Sequence, residues 1–415
     1  MKLLLAFVML TVGMNFSYGT SSVGVFLMIL SIPFLIGVII RQRVLDRIQT
    51  RFILYQVPLV AIFLLSGLTA LFKGGMAYPS YLASIVLHIS FFTGCLLVIG
   101  PLAVTRVFLI VGSINIFFYL VQIVGSLTNS PTLLYLDFLY IMKGSSIEVF
   151  GLFPRASGLM SEPVHLSYLL LPTILLLYFS GSNYLTRRPR IKMFFLTAYV
   201  ATFSLVAIVQ LAITFGIHVF ANKSFKQLVG ALFLLGALAY SYSLIPLAEG
   251  RLGAVSEIFE GNETKESSVF AIQANVLVAA KNVSESPILG GGLTSHRRVF
   301  EESMESLFSY KIDDSWLDLN KNDASSLYIL LLSEMGVLGL SIYLILLGYL
   351  ILTFGKSISI IGGVGLAHAT VLAVVSLRYG QVASLHIMLN LQVSLYCLAM
   401  LKIGSGFDVS TRALK

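Results

Sequence analysis

The sequence predicts an all-α membrane protein with about 12 transmembrane helices in a single domain over residues 1–415. Hydrophobic residues make up 57% of the chain and charged residues 11%, against about 45–50% and about 25% in soluble domains. Apolar runs of 18 or more residues recur along the chain. Each is long enough to cross a hydrocarbon core of about 30 Å.

Eleven apolar segments mark the expected spans. They cover about 3–18, 22–40, 52–72, 81–99, 104–127, 166–180, 193–220, 227–246, 327–352, 358–377 and 384–402. The first is expected to remain as an uncleaved helix, because it lacks a small-x-small cleavage site and another span follows at once.

The basic residues predict the orientation. They gather at 41–51 and 187–192, and such short basic loops face the cytoplasm. A single crossing at 193–220 would place the basic residues of 223–226 outside. Two crossings there remove the conflict, bring the count to twelve and leave both termini in the cytoplasm. The net charge of +8 therefore reflects topology and does not indicate nucleic acid as a partner.

Two crossings within about 30 residues require short helices, or one that is broken or re-entrant. Membranes tolerate such irregular backbone only where protein or a water-filled cavity covers it. Gln210, Thr214 and His218 follow helical spacing, so they predict one polar stripe that faces the bundle interior.

Two long stretches separate the spans, at 128–165 and 247–326, and both are predicted to lie outside. The second holds 13 of the chain's 19 acidic residues. It predicts helices over 269–282 and 299–308, with a flexible turn at Gly290–Gly292 between them.

The first outer loop places Arg155 seven residues before Glu162, about two helical turns, so the two could share one face. An arginine at the mouth of a bundle can bind phosphate bidentately. Alternatively, Arg155 and Glu162 form an ion pair that fastens the loop. His165 follows at the start of a span, where a histidine either packs in the bundle or contacts substrate.

The second loop offers more cations. Exposed amides of the glycine turn, followed by His296, Arg297 and Arg298, predict an anion site; a solvated basic patch is the alternative. Arg251 lies at the outer end of a span, where it binds an anion or snorkels. Arg378 lies between the last two spans and also faces outside in this topology.

Two carboxylates stand near the span that follows this loop. Asp323 is either a base for a hydroxyl nucleophile or a helix N-cap. Glu334 lies inside the span, where a carboxylate is costly unless it is paired or wetted. No residues have metal-ligand spacing.

Three segments together resemble a known family. Arg155-x-Ser157-Gly158-Leu159-x-Ser161-Glu162-Pro163-x-His165 resembles the Arg…Gly…Glu-Pro segment of the bacterial O-antigen polymerase (Wzy) family. Pro287-Ile288-Leu289-Gly290-x-Gly292 resembles the Pro-Leu/Ile-x-Gly-x-Gly turn of the wider O-antigen ligase/polymerase superfamily. The stretch 322–340 is similar to the segment that leads into that superfamily's Glu-x-Gly-x-x-Gly span.

The resemblance implies a GT-C-type glycosyltransferase of the bacterial inner membrane with its active site facing the periplasm. Donor and acceptor would both be undecaprenyl-pyrophosphate-linked oligosaccharides, without cofactor or metal. A chain-length-regulating membrane protein is an implied partner. The pyrophosphate would be held by Arg155, Arg251, Arg297, Arg298 and Arg378, the base would be Glu162 or Asp323, and substrate would contact His165 and His296.

Rival functions remain open. The ligases, which transfer the glycan onto a lipid A core, carry a His-Asn-type pair where this chain has Asn322-Asp323. A lipid-linked oligosaccharide transporter would spread ionisable residues through its spans, and here they are few. A non-catalytic scaffold is the last alternative.

Overall fold

The computed structural model describes residues 1–12, 22–41, 46–73, 78–137, 149–150, 153–154, 157–160, 163–179, 189–202, 204–222, 236, 267–308, 316, 321–322, 324–357 and 359–404. Within these ranges the chain is helical apart from one antiparallel pair of two-residue strands, β1 (Val149–Phe150) and β2 (Phe153–Pro154). The predicted all-α class is confirmed for this part of the chain.

The helices are numbered here in chain order. They are α1 (Lys2–Val12), α2 (Ser22–Arg41), α3 (Arg47–Leu54), α4 (Val57–Phe72), α5 (Tyr78–Leu127), α6 (Pro131–Tyr135), α7 (Pro163–Phe179), α8 (Pro189–Val200), α9 (Leu205–Asn222), α10 (Ser267–Glu285), α11 (Ser295–Ser303), α12 (Leu327–Gly355), α13 (Ile360–Val375) and α14 (Leu385–Gly404). A 3₁₀ turn, Met304–Leu307, extends α11.

Among the described helices, four segments are long and apolar enough to cross a membrane. They are Arg47–Phe72, Pro79–Leu127, Leu327–Gly355 and Leu385–Ile403. Shorter apolar helices occur at Pro163–Leu177, Val206–Ile217 and Ile360–Val375. These helices support a membrane protein, and the count of twelve spans stays a prediction.

The 50-residue helix α5 consists of two helices that meet at Gly100. Gly100 has φ 72° and ψ 167°, a conformation that glycine adopts without steric cost. Pro101 follows and cannot donate a helical hydrogen bond. The two halves correspond to the predicted spans 81–99 and 104–127.

One end of the bundle joins the start of α3 to the end of α14. Arg51 Nη1 donates to the Lys402 carbonyl at 3.2 Å, and Gln49 Nε2 donates to the Leu97 carbonyl at 3.3 Å. We call this the inner end, after the predicted cytoplasmic position of residues 41–51.

The opposite end joins α4 to the second loop. Lys73 Nζ donates to the Gly290 carbonyl at 3.2 Å, and Arg298 Nη1 donates to the Lys73 carbonyl at 2.8 Å. We call this the outer end. The described part of the second loop thus lies at the opposite end of α4 from residues 46–51, and the side of a membrane that each end faces stays a prediction.

The described chain begins and ends at the same end of the bundle. Met1 Sδ lies 3.9 Å from Cys95 Sγ, close to the Gly100 turn, and α14 ends beside Arg51. The number of crossings between these two points stays a prediction.

The region predicted to cross twice contains two helices, because α8 ends at Val200 and α9 begins at Leu205. The Tyr199 hydroxyl donates to the Gln210 side chain at 2.9 Å and lies 3.0 Å from the Ala207 carbonyl. Gln210 and Thr214 are buried, which confirms the inward-facing polar stripe for these two residues. The side chain of His218 lies outside the described residues.

The second loop has a small apolar core of its own. Its members come from α10 and from α11 with the following 3₁₀ turn: Phe270, Ala274, Val278, Val299, Phe300 and Met304. Trp316 packs on it, with its ring centroid 5.1 Å from that of Phe270. The helices predicted over 269–282 and 299–308 are therefore present, and α11 starts earlier than predicted, at Ser295.

Candidate functional site

The glycine turn of the second loop docks into a break in α12. Four backbone hydrogen bonds of 2.9–3.2 Å join the two segments. They run from Gly291 to Ser333, from Gly292 to Glu334, from Val337 to Pro287 and from Leu338 to Ile288. The polar groups released by the broken helix are thus satisfied by protein, which is the condition for irregular backbone at membrane depth.

Two glycines make this docking possible. Gly336 has φ 65° at the break and Gly290 has φ 67° in the turn, a region that side chains rarely adopt. A Cβ atom on Gly290 would lie 2.5 Å from the Gly336 nitrogen, and one on Gly336 would lie 2.4 Å from the Ile288 oxygen. Only glycine at both positions lets the two backbones approach this closely.

Glu334 reaches from the break in α12 to the beginning of α11. Its Oε1 accepts the Thr294 N–H at 2.8 Å, and its carboxylate also interacts with the His296 N–H. The side chain is only 4% exposed. A side-chain oxygen that accepts the first N–H groups of a helix acts as an N-cap, so Glu334 caps α11 from another helix.

A polar cavity of about 360 Å³ lies beside Glu334 at the outer end. Its lining comes from the start of α5, from α11 and α12, and from two connecting segments: Ser80, Tyr81, Ser84, Thr294, Arg297, Asn322, Glu334, Gln381 and Ala383. A cation and a carboxyl group therefore line one cavity at the junction of the bundle and the second loop.

Arg297 is the predicted phosphate-binding residue that this cavity contains. Its Nε donates to Glu301 Oε1 at 3.0 Å, one helical turn away, and both side chains are nearly half exposed, at 48% and 47%. The hydrogen bond from Arg297 lowers the pKa of Glu301 below its usual value. An exposed pair of this kind is worth little, so Arg297 can exchange Glu301 for a phosphate at small cost.

Arg298 has a different position from its neighbour. Its Nη1 donates to the Lys73 carbonyl at 2.8 Å, and Lys73 Nζ donates to the Gly290 carbonyl. Arg298 thus fastens the turn to the end of α4 and is absent from the cavity lining.

His296 is fully buried behind the cavity wall. Its Nδ1 lies 3.0 Å from Ser333 Oγ and its Nε2 lies 2.8 Å from Asn275 Oδ1. Burial lowers the pKa of His296 from 6.5 to about 4, so the ring is neutral near pH 7. Because both ring nitrogens have protein partners, this geometry does not support the predicted substrate contact of His296.

Two buried asparagines of α10 bond the polar side chains around His296. Asn275 Nδ2 donates to Ser325 Oγ at 3.1 Å, and Asn282 Nδ2 donates to Ser333 Oγ at 3.0 Å. Sequence reasoning missed both residues. The signal that could have found them is their spacing of seven residues, which puts both side chains on one face of the helix.

Arg378 and His165 lie at the outer end on other elements. Arg378 Nη1 approaches the Ser325 carbonyl at 3.4 Å. His165 is half-buried among aromatic rings, with centroids 6.2 Å from those of both Tyr168 and Tyr379. Neither residue is among those that line the polar cavity.

Four predicted site residues lie outside the described residues: Arg155, Glu162, Arg251 and Asp323. Their roles stay predictions. The short segment 157–160 is described, and α5 holds it in place. The Gly158 and Leu159 N–H groups donate to Gln122 Oε1 and Asn115 Oδ1, each at 3.0 Å.

An apolar groove of about 280 Å³ runs along the bundle between the α3–α4 segment, α12 and α14. On α12 it extends from Leu327 to Tyr349, about 33 Å at a rise of about 1.5 Å per residue. Its lining adjoins that of the polar cavity along the chain: Met335 lines the groove next to Glu334, and Val382 lines it between Gln381 and Ala383.

Among the described residues, no group of three His, Cys, Asp or Glu side chains could hold a metal ion. No family model matches the chain, and no curated protein matches its sequence.

Proposed function

We propose that the chain is a membrane-embedded glycosyltransferase that polymerises undecaprenyl-pyrophosphate-linked oligosaccharide repeat units into O-antigen or a related surface polysaccharide. One observation carries the proposal. A polar cavity lined by Arg297 and Glu334 adjoins, through neighbouring residues of α12 and of the segment before α14, an apolar groove that runs about the length of a membrane span.

The two compartments match the two halves of a lipid-linked sugar. An isoprenoid chain needs an apolar surface at membrane depth, and the groove offers one between Leu327 and Tyr349. Sugar hydroxyls and a pyrophosphate need polar partners, and the cavity offers amide, hydroxyl, guanidinium and carboxylate groups. A soluble sugar substrate would have no use for the groove.

The charge at the outer end suits a departing pyrophosphate. Arg297 is half exposed and weakly engaged, and Arg378 lies nearby on the segment that follows α13. Preorganised cations stabilise charge that develops in a transition state. Arg155, Arg251 and Arg298 belong to the same proposal, with Arg298 acting through the position of the glycine turn.

In the proposed reaction, a hydroxyl of the acceptor repeat unit attacks the anomeric carbon of the donor. Undecaprenyl pyrophosphate leaves, and the sequence predicts that Glu162 or Asp323 takes the hydroxyl proton. The proposal places the enzyme in the bacterial inner membrane, with a GT-C-type arrangement of twelve spans and the outer end facing the periplasm. It needs no cofactor, and a chain-length-regulating membrane protein is a proposed partner.

The direct test is polymerisation by purified protein supplied with a synthetic undecaprenyl-pyrophosphate-linked repeat unit. We expect a ladder of products that EDTA does not abolish, and loss of the ladder in Arg155→Ala and Glu162→Ala. Arg297→Ala should weaken substrate binding by about tenfold or more, because a hydrogen bond to a charged group contributes about 1.5–3 kcal/mol.

The acceptor decides between polymerase and ligase. A product that forms only when a lipid A core is added would identify a ligase with the same donor site. Well-folded protein that forms no product with either acceptor would contradict glycosyl transfer, and transport of the lipid-linked unit across vesicle membranes would then be measured.

A further inference from the structure

We propose that Glu334 is the catalytic base, a role that the sequence assigned to other carboxylates. This inference rests on the proposed function, because it concerns the proton of the acceptor hydroxyl in the same reaction. The carboxylate would accept that proton as the hydroxyl oxygen attacks the anomeric carbon.

The position of Glu334 is the first argument. Of the residues that the structure describes around the polar cavity, Glu334 is the one acidic side chain. Arg297 lines the same cavity, so a carboxylate and a guanidinium face one volume of about 360 Å³. A base and a cation for the leaving group are the two charges that this transfer needs.

The second argument is preorganisation. The four backbone hydrogen bonds between the glycine turn and the break in α12 fix the backbone at Glu334. The Thr294 N–H then fixes Oε1 at 2.8 Å. In the ionised form that a base requires, the carboxylate has about four acceptor sites, so these contacts leave capacity for a substrate hydroxyl.

The third argument is the free energy that it costs to bury a carboxylate at position 334. A carboxylate within an apolar helix is expensive, and the capping contact does not require one. The amide oxygen of glutamine could accept the Thr294 N–H just as well. A cap alone therefore does not account for an acid here, whereas proton transfer does.

The step balances without a further reactant. The acceptor oxygen forms a bond to the anomeric carbon, and the bond from that carbon to the phosphate oxygen breaks. The bonding electron pair leaves with undecaprenyl pyrophosphate beside Arg297. The hydroxyl proton moves to Glu334 and passes to water from the cavity.

The test compares Glu334→Gln with wild type in the polymerisation assay, with substrate binding and thermal unfolding measured separately. We expect kcat to fall by about 10²–10⁴-fold, the usual contribution of a general base. Substrate affinity and melting temperature should stay close to wild type, because glutamine keeps the shape and the contact with Thr294. Glu302→Gln, an exposed acid on α11, is the matched control and should retain full activity.

Glu334→Asp separates catalysis from capping. Aspartate keeps the carboxylate but is one methylene shorter, so a base role predicts that it retains more activity than glutamine. A role in capping alone predicts the reverse order, with glutamine close to wild type, and that result would overturn the inference. If wild type itself forms no product, the proposed function fails; if wild type elongates and Glu334→Gln matches it, only the inference fails.

Discussion

Glu334 and His368 are both ionisable residues inside apolar helices, and the structure gives them opposite surroundings. Glu334 lines a polar cavity at the outer end of α12. His368, in α13, is fully buried, with Nδ1 2.7 Å from Asn390 Oδ1 and its ring 5.4 Å from that of Phe108. The same signal in the sequence thus marks a candidate site in one case and a packing contact in the other.

A second buried set follows the pattern of His368. Thr93 Oγ1 donates to Gln56 Oε1 at 3.0 Å, and Gln392 Nε2 donates to the same oxygen at 3.3 Å. These polar side chains join α5 and α14 to Gln56, in the short connection between α3 and α4. Polar groups that bond one another inside a bundle specify how helices align, whereas polar groups that face a cavity remain open to a ligand.

The largest expected effect comes from breaking the docking that creates the outer site. Gly290→Ala should destabilise the protein by about 3 kcal/mol, because alanine is strained at positive φ and its Cβ would overlap the α12 backbone. Thermal unfolding in detergent measures the change. Gly348→Ala on the same helix, where a Cβ meets nothing within 4 Å, should leave stability unchanged or raise it; equal losses in both variants would refute the docking.

Acid should lower the stability of the folded protein through protonation of His296. Its pKa in the folded protein is about 4 against 6.5 in the unfolded chain, so the unfolded state takes up the proton first. The contribution of the neutral His296 ring to the free energy of unfolding is fully present above pH 6.5 and is lost as the pH falls towards 4. This loss amounts to about 3 kcal/mol at about 1.4 kcal/mol per pKa unit.

The measurement is the denaturation midpoint of wild type and His296→Gln at pH 7 and at pH 4. Other groups titrate in both proteins, so the difference between the two pH dependences isolates His296. If the denaturation midpoints of wild type and His296→Gln depended on pH in the same way, the ring would not stay neutral in the folded protein.

His368→Ala tests the other side of the comparison. It should cost about 2 kcal/mol of stability, through a lost buried hydrogen bond and a small cavity, while kcat of the folded protein stays unchanged. In a double-mutant cycle with Asn390→Ala, the stability loss of the double variant should be smaller than the sum of the losses in the two single variants. A fall in kcat without loss of stability would place His368 in the reaction.

The smallest expected effect concerns the groove. Ile342→Trp, on the groove wall, should raise KM for a substrate with a full isoprenoid chain by about tenfold, or about 1.4 kcal/mol. A short-chain analogue should be unaffected. Ile345→Trp lies on the same helix at a position 70% exposed and serves as the control; equal KM changes with both chain lengths would show that the groove does not hold the lipid.

The sequence predicted much of this architecture because its signals are local. Long apolar runs predict helices that suit a membrane whatever their neighbours are. Two helices, α8 and α9, occur where the basic residues predict two crossings. The glycines at 290–292 predicted the turn, because a backbone with positive φ and close contacts requires that residue.

The tertiary structure alone decided which polar residues meet. Arg297 and Arg298 are adjacent, yet their side chains leave the helix about 100° apart. In the docked position of α11, Arg297 therefore lines the cavity and Arg298 contacts the end of α4. His296 precedes them and is buried, because α10 and α12 close over it. Composition and spacing determine which helices and turns form; how far each side chain is desolvated depends on the elements that pack against it, which are distant in sequence.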